Sequence, residues 1–373
     1  MATYIHQRRG WPRLRWDQAA LAVPLADIRH RQGRLIGQMQ GLGFRLREEA
    51  VLHTLTEDVL KSSEIEGEIL DREQVRSSVA RRLGMDIGAL LHVDRDVDGV
   101  VEMMLDATQK YAEPLTAERL FGWHAALFPT GRSNMHRIAV GAWRSDKAGP
   151  MVVVSGPAGR ERVHYQAPAA PLLDDGMRAF LRWFDRQESI DPVVKAAIAH
   201  LWCVTIHPFD DGNGRIARAI ADMALARAEG SPQRFYSMSA QIRVERSRYY
   251  EMLESTQKGG LDVTPWVDWF LACLGRAFEG AEGILRTVLA KAEFWKRNGG
   301  ETFNPRQKDM LNRLLDGFTG KLTSTKWAKI GKCSPDTALR DITDLLERGI
   351  LRKEAGGGRS TSYSLTTKAV PAP

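Results

Sequence analysis

Two apolar runs of helical period meet at residues 207–218, and what lies between them restricts this part of the chain to a helix, a tight loop and a second helix. The first run (Val193, Val194, Ala197, Ile198, Leu201, Val204, Thr205) stops at His207-Pro208. Proline has no N–H for the helical ladder and disfavours α geometry in the residue before it. The second run starts near Arg215, passes Ile216, Ile220, Met223 and Leu225, and meets a stop at Gly230, since glycine readily takes the left-handed turn that ends a helix. The loop reads His207-Pro208-Phe209-Asp210-Asp211-Gly212-Asn213-Gly214-Arg215-Ile216-Ala217-Arg218.

This composition suits an anion. Gly212 and Gly214 permit positive φ and carry no Cβ, so successive N–H groups can converge on a phosphate at a helix N-terminus. Asn213 offers a short amide donor. Arg215 and Arg218, three apart, share one face of the first turn, where cations oppose the helix dipole at about 0.3 to 1 kcal/mol each. An anionic ligand reverses the sign of that effect. Asp211 beside such a site suits a hard cation like Mg²⁺, which takes one or two carboxylates and completes its shell with phosphate and water. His207 at the loop entrance has the proton affinity to deprotonate an attacking hydroxyl. The plainer alternative is a polar interhelix loop with an incidental histidine.

The segment matches at every defined position the signature of the Fic family of nucleotidyltransferases, His-x-Phe-x-Asp/Glu-Gly-Asn-Gly-Arg-x-x-Arg. The resemblance implies transfer of AMP from ATP, with Mg²⁺, to a Ser, Thr or Tyr hydroxyl of a target protein. Carried over, His207 is the base, Asp211 holds Mg²⁺, and Gly212, Asn213 and Gly214 line the anion hole. Arg215 then holds the β-phosphate and Arg218 the γ-phosphate. Phe209 is the loop's inward anchor.

Far upstream, Ser62-Ser63-Glu64-Ile65-Glu66-Gly67 closes another helical run (Val51, Leu52, Leu55, Val59, Leu60). A glutamate in a last turn faces the wrong end of the dipole unless a cation meets it; taken alone, Glu66 reads as a solvated surface charge. The stretch also resembles the Fic inhibitory motif, Ser/Thr-x-x-x-Glu-Gly/Asn, through Ser62, Glu66 and Gly67. In the family this glutamate pairs with the second signature arginine, here Arg218, and takes the place of the γ-phosphate. The chain thus resembles the class that carries its inhibitor on an N-terminal helix.

Between the motifs, Met151-Val152-Val153-Val154 and Val163-His164-Tyr165 flank Gly156-Pro157-Ala158-Gly159, a hairpin pattern. By resemblance, residues 152–165 are the flap that pairs with a target segment as an added strand. Arg248-Tyr249-Tyr250 precedes Trp266 and Trp269; Tyr249 and Tyr250 either cover adenine, as in the family, or pack as core.

The 373 residues suffice for two or three domains. No run of about eighteen apolar residues occurs, and Met1 to Arg9 lacks the apolar segment of a secretion signal. The expectation is a soluble cytoplasmic protein without a membrane partner. Cys203, Cys273 and Cys333 fit neither a disulfide framework nor a zinc pattern. From Lys296 to Pro373 there are 15 Lys and Arg against 8 Asp and Glu, an excess equal to the whole chain's +7. That segment reads as three helices (from Asn304-Pro305, over Thr323 to Ile330, and from Ser334-Pro335-Asp336 to Gly349) and a hairpin around Gly356-Gly357-Gly358. It resembles a winged helix, with Lys332, Arg340 and Arg359 as expected contacts to DNA.

The expected fold is mostly α: an N-terminal helical extension with the inhibitory helix (1–95), a Fic-fold helical core with a β-hairpin flap (96–295) and a C-terminal winged-helix domain (300–373). The target protein is unidentified, the chain itself being one candidate; a homodimer is the prior for a soluble assembly. The alternatives are removal of AMP by the same site, transfer of another phosphate-containing group, and a DNA-binding transcriptional regulator acting through the tail.

Overall fold

Asp17 opens the first helix, α1 (Gln18–Gln40), its carboxylate accepting from the Ala19 and Ala20 N–H groups at 2.9 and 3.0 Å. These are donors that no helical carbonyl can reach. The computed structural model describes residues 3–41, 43–85, 92–133, 136–147, 149–157, 159–186, 189–315, 318, 320–354 and 361–366. It is mostly helical with small antiparallel ladders, and it divides into two compact units, Met1–Gly41 with Val51–Ala281, and Leu42–Ala50 with Glu282–Pro373. Among the described residues, no helix is long and apolar enough to cross a membrane.

After α1 come α2 (Phe44–Ile65), α3 (Arg72–Arg82), α4 (Arg95–Gln109) and α5 (Ala117–Leu127). Two hairpins follow, β1 (Arg132–Ser133) with β2 (His136–Arg137), and β3 (Val152–Ser155) with β4 (Arg162–Gln166). The second is the hairpin expected over 152–165; Ala158 in its turn lies outside the described residues. Then come α6 (Leu173–Asp185), α7 (Pro192–Ile206), α8 (Asn213–Glu229), α9 (Met238–Val244), α10 (Arg246–Gln257) and the long α11 (Thr264–Arg297).

The first unit is built around α7. Apart from Pro192 and Lys195, every residue of α7 is buried, as expected of a helix that is apolar on all sides. Asp191 caps its first turn through Val193 N–H at 2.7 Å. α8 lies against α7 and is buried from Arg215 through Ala226. Each fully buried Val, Leu or Ile on such a helix contributes roughly 1.5–3 kcal/mol, so the helix pair fixes the loop between them firmly. Cys203 and Cys273 are buried free thiols and Cys333 is partly buried; burial pushes the Cys203 thiol up to about 12, which keeps it unreactive.

The second unit contains α12 (Pro305–Leu315), β5 (Leu322–Thr323), α13 (Ser324–Ile330), α14 (Pro335–Glu347), β6 (Leu351–Lys353) and β7 (Ser362–Leu365). Met310, Leu311, Trp327, Ala338, Ile342, Leu345, Leu351 and Tyr363 pack its core. The sheet order is β5-β7-β6, antiparallel throughout. β5 has no counterpart in the sequence reading; two residues are too few to show a period-two pattern. Gly356, Gly357, Gly358 and Arg359 lie outside the described residues, as does the tail beyond Thr366.

Candidate functional site

His207 terminates α7 with φ 54 and ψ 60, a left-handed geometry that is rare outside glycine. The preceding proline rule excludes the α region without excluding this one. Its N–H still bonds Cys203 O at 3.0 Å, and its carbonyl accepts from Arg144 Nε at 2.8 Å. The ring Nδ1 lies 3.2 Å from Val204 O. A carbonyl only accepts, so Nδ1 carries the proton and Nε2 keeps its lone pair. Burial, aided by the Arg144 charge, lowers His207 to about 4 despite opposing effects from Val204 O, Glu66 and Asp211. At neutral pH the imidazole is an uncharged base with one free nitrogen.

The loop is shaped from within. Phe209 is fully buried, stacked on His124 at 4.3 Å between ring centroids and near Trp143 at 5.2 Å. The Asn213 amide, expected as a donor to the anion, is turned inward instead: Oδ1 accepts from Phe209 N at 2.9 Å and Nδ2 donates to Phe209 O at 2.8 Å. Both ends of the amide are engaged in closing the loop. Gly212 caps α8 at φ 80 with no side-chain cap, and a Cβ on it would meet Phe128 Cε2 at 2.9 Å. At Gly214 a Cβ would meet Glu66 Oε1 at 2.2 Å. Gly212 is therefore required by close approach and by its positive φ, and Gly214 by the approach of the Glu66 carboxylate alone.

Asp211 is held at both oxygens, by Gly212 N–H at 2.6 Å and by Ser133 Oγ. His124 fixes its backbone: Gly141 N–H donates to Nδ1 at 3.4 Å, leaving Nε2–H to donate to Asp211 O at 3.2 Å. Burial lowers His124 to about 4. Among the described residues, no group of three or more His, Cys, Asp and Glu side chains could hold a metal. One carboxylate fits a hard divalent cation only where phosphate and water supply the other ligands.

The two loop arginines are buried, with 3% and 2% of Arg215 and Arg218 exposed. Arg218 Nε donates to Ser62 Oγ at 3.0 Å, Nη2 to Ser62 O at 2.8 Å, and Nη1 lies 2.8 Å from Glu66 Oε1. Burial alone would lower this guanidinium, yet the facing Glu66 holds it above its usual value. Arg215 sits 5.2 Å over the Phe128 ring, pairs through Nη1 with Glu68 Oε2, and leaves Nε without a hydrogen-bond partner. An orphaned buried donor beside an uncapped helix start is an anion-binding feature. Residues 62–68 and 207–218 thus form one site.

Tyr249 and Tyr250 separate in role. Tyr249 is 1% exposed, with its hydroxyl 2.9 Å from His200 Nε2 and its ring packed near Trp266 and Trp269. Tyr250 remains 38% exposed and its hydroxyl donates to Ile65 O at 3.4 Å. Of the pair, Tyr250 is the more exposed, with Arg246 Cζ 5.4 Å from its ring centroid.

The β3–β4 hairpin is tied to the same centre. Tyr165 Oη donates to Thr205 O at 2.7 Å, and Arg144, besides gripping His207, donates from Nη2 to Pro168 O at 2.6 Å. Glu254 on α10 holds His164 Nδ1 at 2.6 Å and Arg162 Nη2 at 2.9 Å. Sequence reasoning passed over Arg144, Ser133, His124 and Glu68. Their partners lie 63, 78, 87 and 147 residues away, beyond any local pattern, although Glu68 stands only two places past Glu66.

Residues 114–225 match the family model described as Fic/DOC family, and residues 4–85 match one described as Domain of unknown function (DUF4172). A protein adenylyltransferase Fic from Nematostella vectensis is 25% identical over 236 residues, covering 62% of this chain and 50% of that protein. The Drosophila melanogaster protein of the same name is 35% identical over 105 residues, 28% of this chain and 20% of that one. The chain thus spans half or less of these relatives. The crystal structure of a Fic family protein from Desulfovibrio desulfuricans G20 has a TM-score of 0.52 at 20% identity, covering 92% of this chain and 96% of that one; at that identity the likeness concerns the fold. The complete loop signature, the matched segment and the shared fold agree, and residues 114–225 are a Fic/DOC domain.

Proposed function

We propose that this chain is a protein adenylyltransferase, moving AMP from ATP to a Ser, Thr or Tyr hydroxyl of a target protein, and that Glu66 restrains it. The observation that carries the reading is the convergence on one uncapped helix start of a neutral imidazole with a free Nε2 and two buried arginines. Phosphoryl-type transfer asks the protein mainly for positioning and charge neutralisation. His207 Nε2 takes the proton as the acceptor oxygen bonds to the α-phosphorus, the bond to the bridging β-phosphate oxygen breaks, and pyrophosphate leaves. Arg215 holds the β-phosphate and Arg218 the γ-phosphate, while the N–H groups of Asn213 and Gly214 face the triphosphate and that of Gly212 holds Asp211. Tyr250, with Tyr249 behind it, lies on the adenine side. Mg²⁺ at Asp211, when bound, neutralises charge on the phosphate oxygens.

The names of the relatives and the matched domain support this activity, and the Glu66–Arg218 pair at 2.8 Å supports the restraint. Mass spectrometry after incubation with ATP and Mg²⁺ tests both. The wild type is expected to carry little adenylyl adduct, the Glu66→Gly protein more, and the His207→Ala protein none; an adduct unaffected by His207→Ala removes the assigned base.

For the second unit we propose a winged helix whose contact with duplex DNA includes Lys332 and Arg340. The support is the excess positive charge, carried largely by Lys321, Lys326, Lys329 and Lys332 around α13. Exposed Asp336 and Glu347 accompany Arg340 on α14, so the α13 side is the more favourable to phosphate. Duplex binding that weakens steeply with salt is expected; binding indifferent to salt speaks against it.

A further inference from the structure

A second carboxylate stands beside Glu66 and engages the other arginine. Gly67 N–H bonds Glu64 O at 3.2 Å and Glu68 N–H bonds Ser63 O at 3.1 Å, so residues 66–68 form the C-terminal cap of α2, with Gly67 at φ 90. Arg246 Nε, donating to Ile65 O at 2.8 Å, fixes the same turn. The cap presents Glu66 to Arg218 and Glu68 to Arg215. Two arginines three apart on a helix are separated by about 4.5 Å of rise, and two residues of chain bent by a cap can meet both. Glu68 is 50% exposed while Arg215 is 3% exposed, so Glu68 stands between the buried guanidinium and solvent.

From this arrangement we infer that Glu68 is a second gate on the site, acting on Arg215 as Glu66 acts on Arg218, so that the α2 cap offers a paired anion in place of two phosphates. The inference rests on the nucleotide reading of the loop and deepens it. Removal of Glu66 alone frees the position of the terminal phosphate of a triphosphate and leaves Arg215 occupied. A nucleoside monophosphate, reaching neither arginine, is indifferent to Glu68; a diphosphate competes with Glu68; a triphosphate competes with both carboxylates.

Titration calorimetry of the full chain with AMP, ADP and ATP in Mg²⁺ buffer, on the wild type, Glu66→Gly, Glu68→Gln and the double variant, tests this. Loss of one charge-assisted, half-exposed pair should tighten ADP binding about fivefold in Glu68→Gln, with AMP changed less than about twofold and ATP tightest in the double variant. Equal shifts for AMP and ADP, no shift for ADP, or Glu66→Gly alone reaching the double variant's ATP affinity overturns the inference. Hydrogen exchange over residues 62–70 without nucleotide reads the gate independently. Glu68→Gln should speed it, and unchanged exchange also overturns the gate. Failure of every nucleotide to bind any variant overturns the nucleotide reading itself, leaving exchange to decide whether Glu68 holds the cap.

Discussion

The starts of α8 and α14 are opposites. At α14, Ser334 accepts from Thr337 N–H at 3.2 Å, Pro335 takes the first turn and Asp336 adds the acidic charge that the dipole favours. At α8, a left-handed glycine stands at the cap, no side chain closes it, and Arg215 occupies the first turn with Arg218 in the next. One helix start satisfies each local preference and reads as architecture. The other breaks three together, and what relieves it is a pair of carboxylates borrowed from α2. Departure from local preference, when concentrated in one turn, marks where a ligand belongs.

The sharpest way to break the comparison is His207→Ala, which should lower adenylyl transfer by about 10²–10⁴-fold with the melting temperature little changed, measured with α-labelled ATP. Glu66→Gly should raise self-labelling by about tenfold or more, as the carboxylate paired with a buried arginine is lost; an unchanged rate removes the restraint. Ser334→Ala should cost about 1 kcal/mol in the unfolding of the second unit, read by denaturant titration, and leave transfer unaltered. The smallest effect concerns pH. Because His207 is lowered from 6.5 to about 4, the neutral base is fully present above about pH 5, and transfer by the Glu66→Gly protein should vary less than about twofold from this group between pH 6 and 8. The unfolded imidazole binds its proton first, so stability contributed by this burial is present above 6.5 and is lost as pH falls toward 4. A rate that halves near 6.5 would mean an exposed imidazole.

The helix ends were legible because their causes are local: Pro208 and Gly230 bound the loop, Ser334 opens α14, and β-branched runs outline β3 and β4. The loop's residue types carried its chemistry. What the sequence concealed is who holds whom. Nothing near Asn213 indicates that its amide closes on Phe209, and nothing near Tyr249 separates it from the exposed Tyr250, because burial is decided by α11 tryptophans far along the chain. Arg144 looks like a strand-flanking cation until packing delivers it to His207 O.

That guanidinium has one further consequence. Arg144 clasps His207 O, Pro168 O and Asp146 at once, so the hairpin and the imidazole share a single mechanical joint. Any displacement of Pro168, two residues past the end of β4, is passed to the backbone of the base through this one side chain.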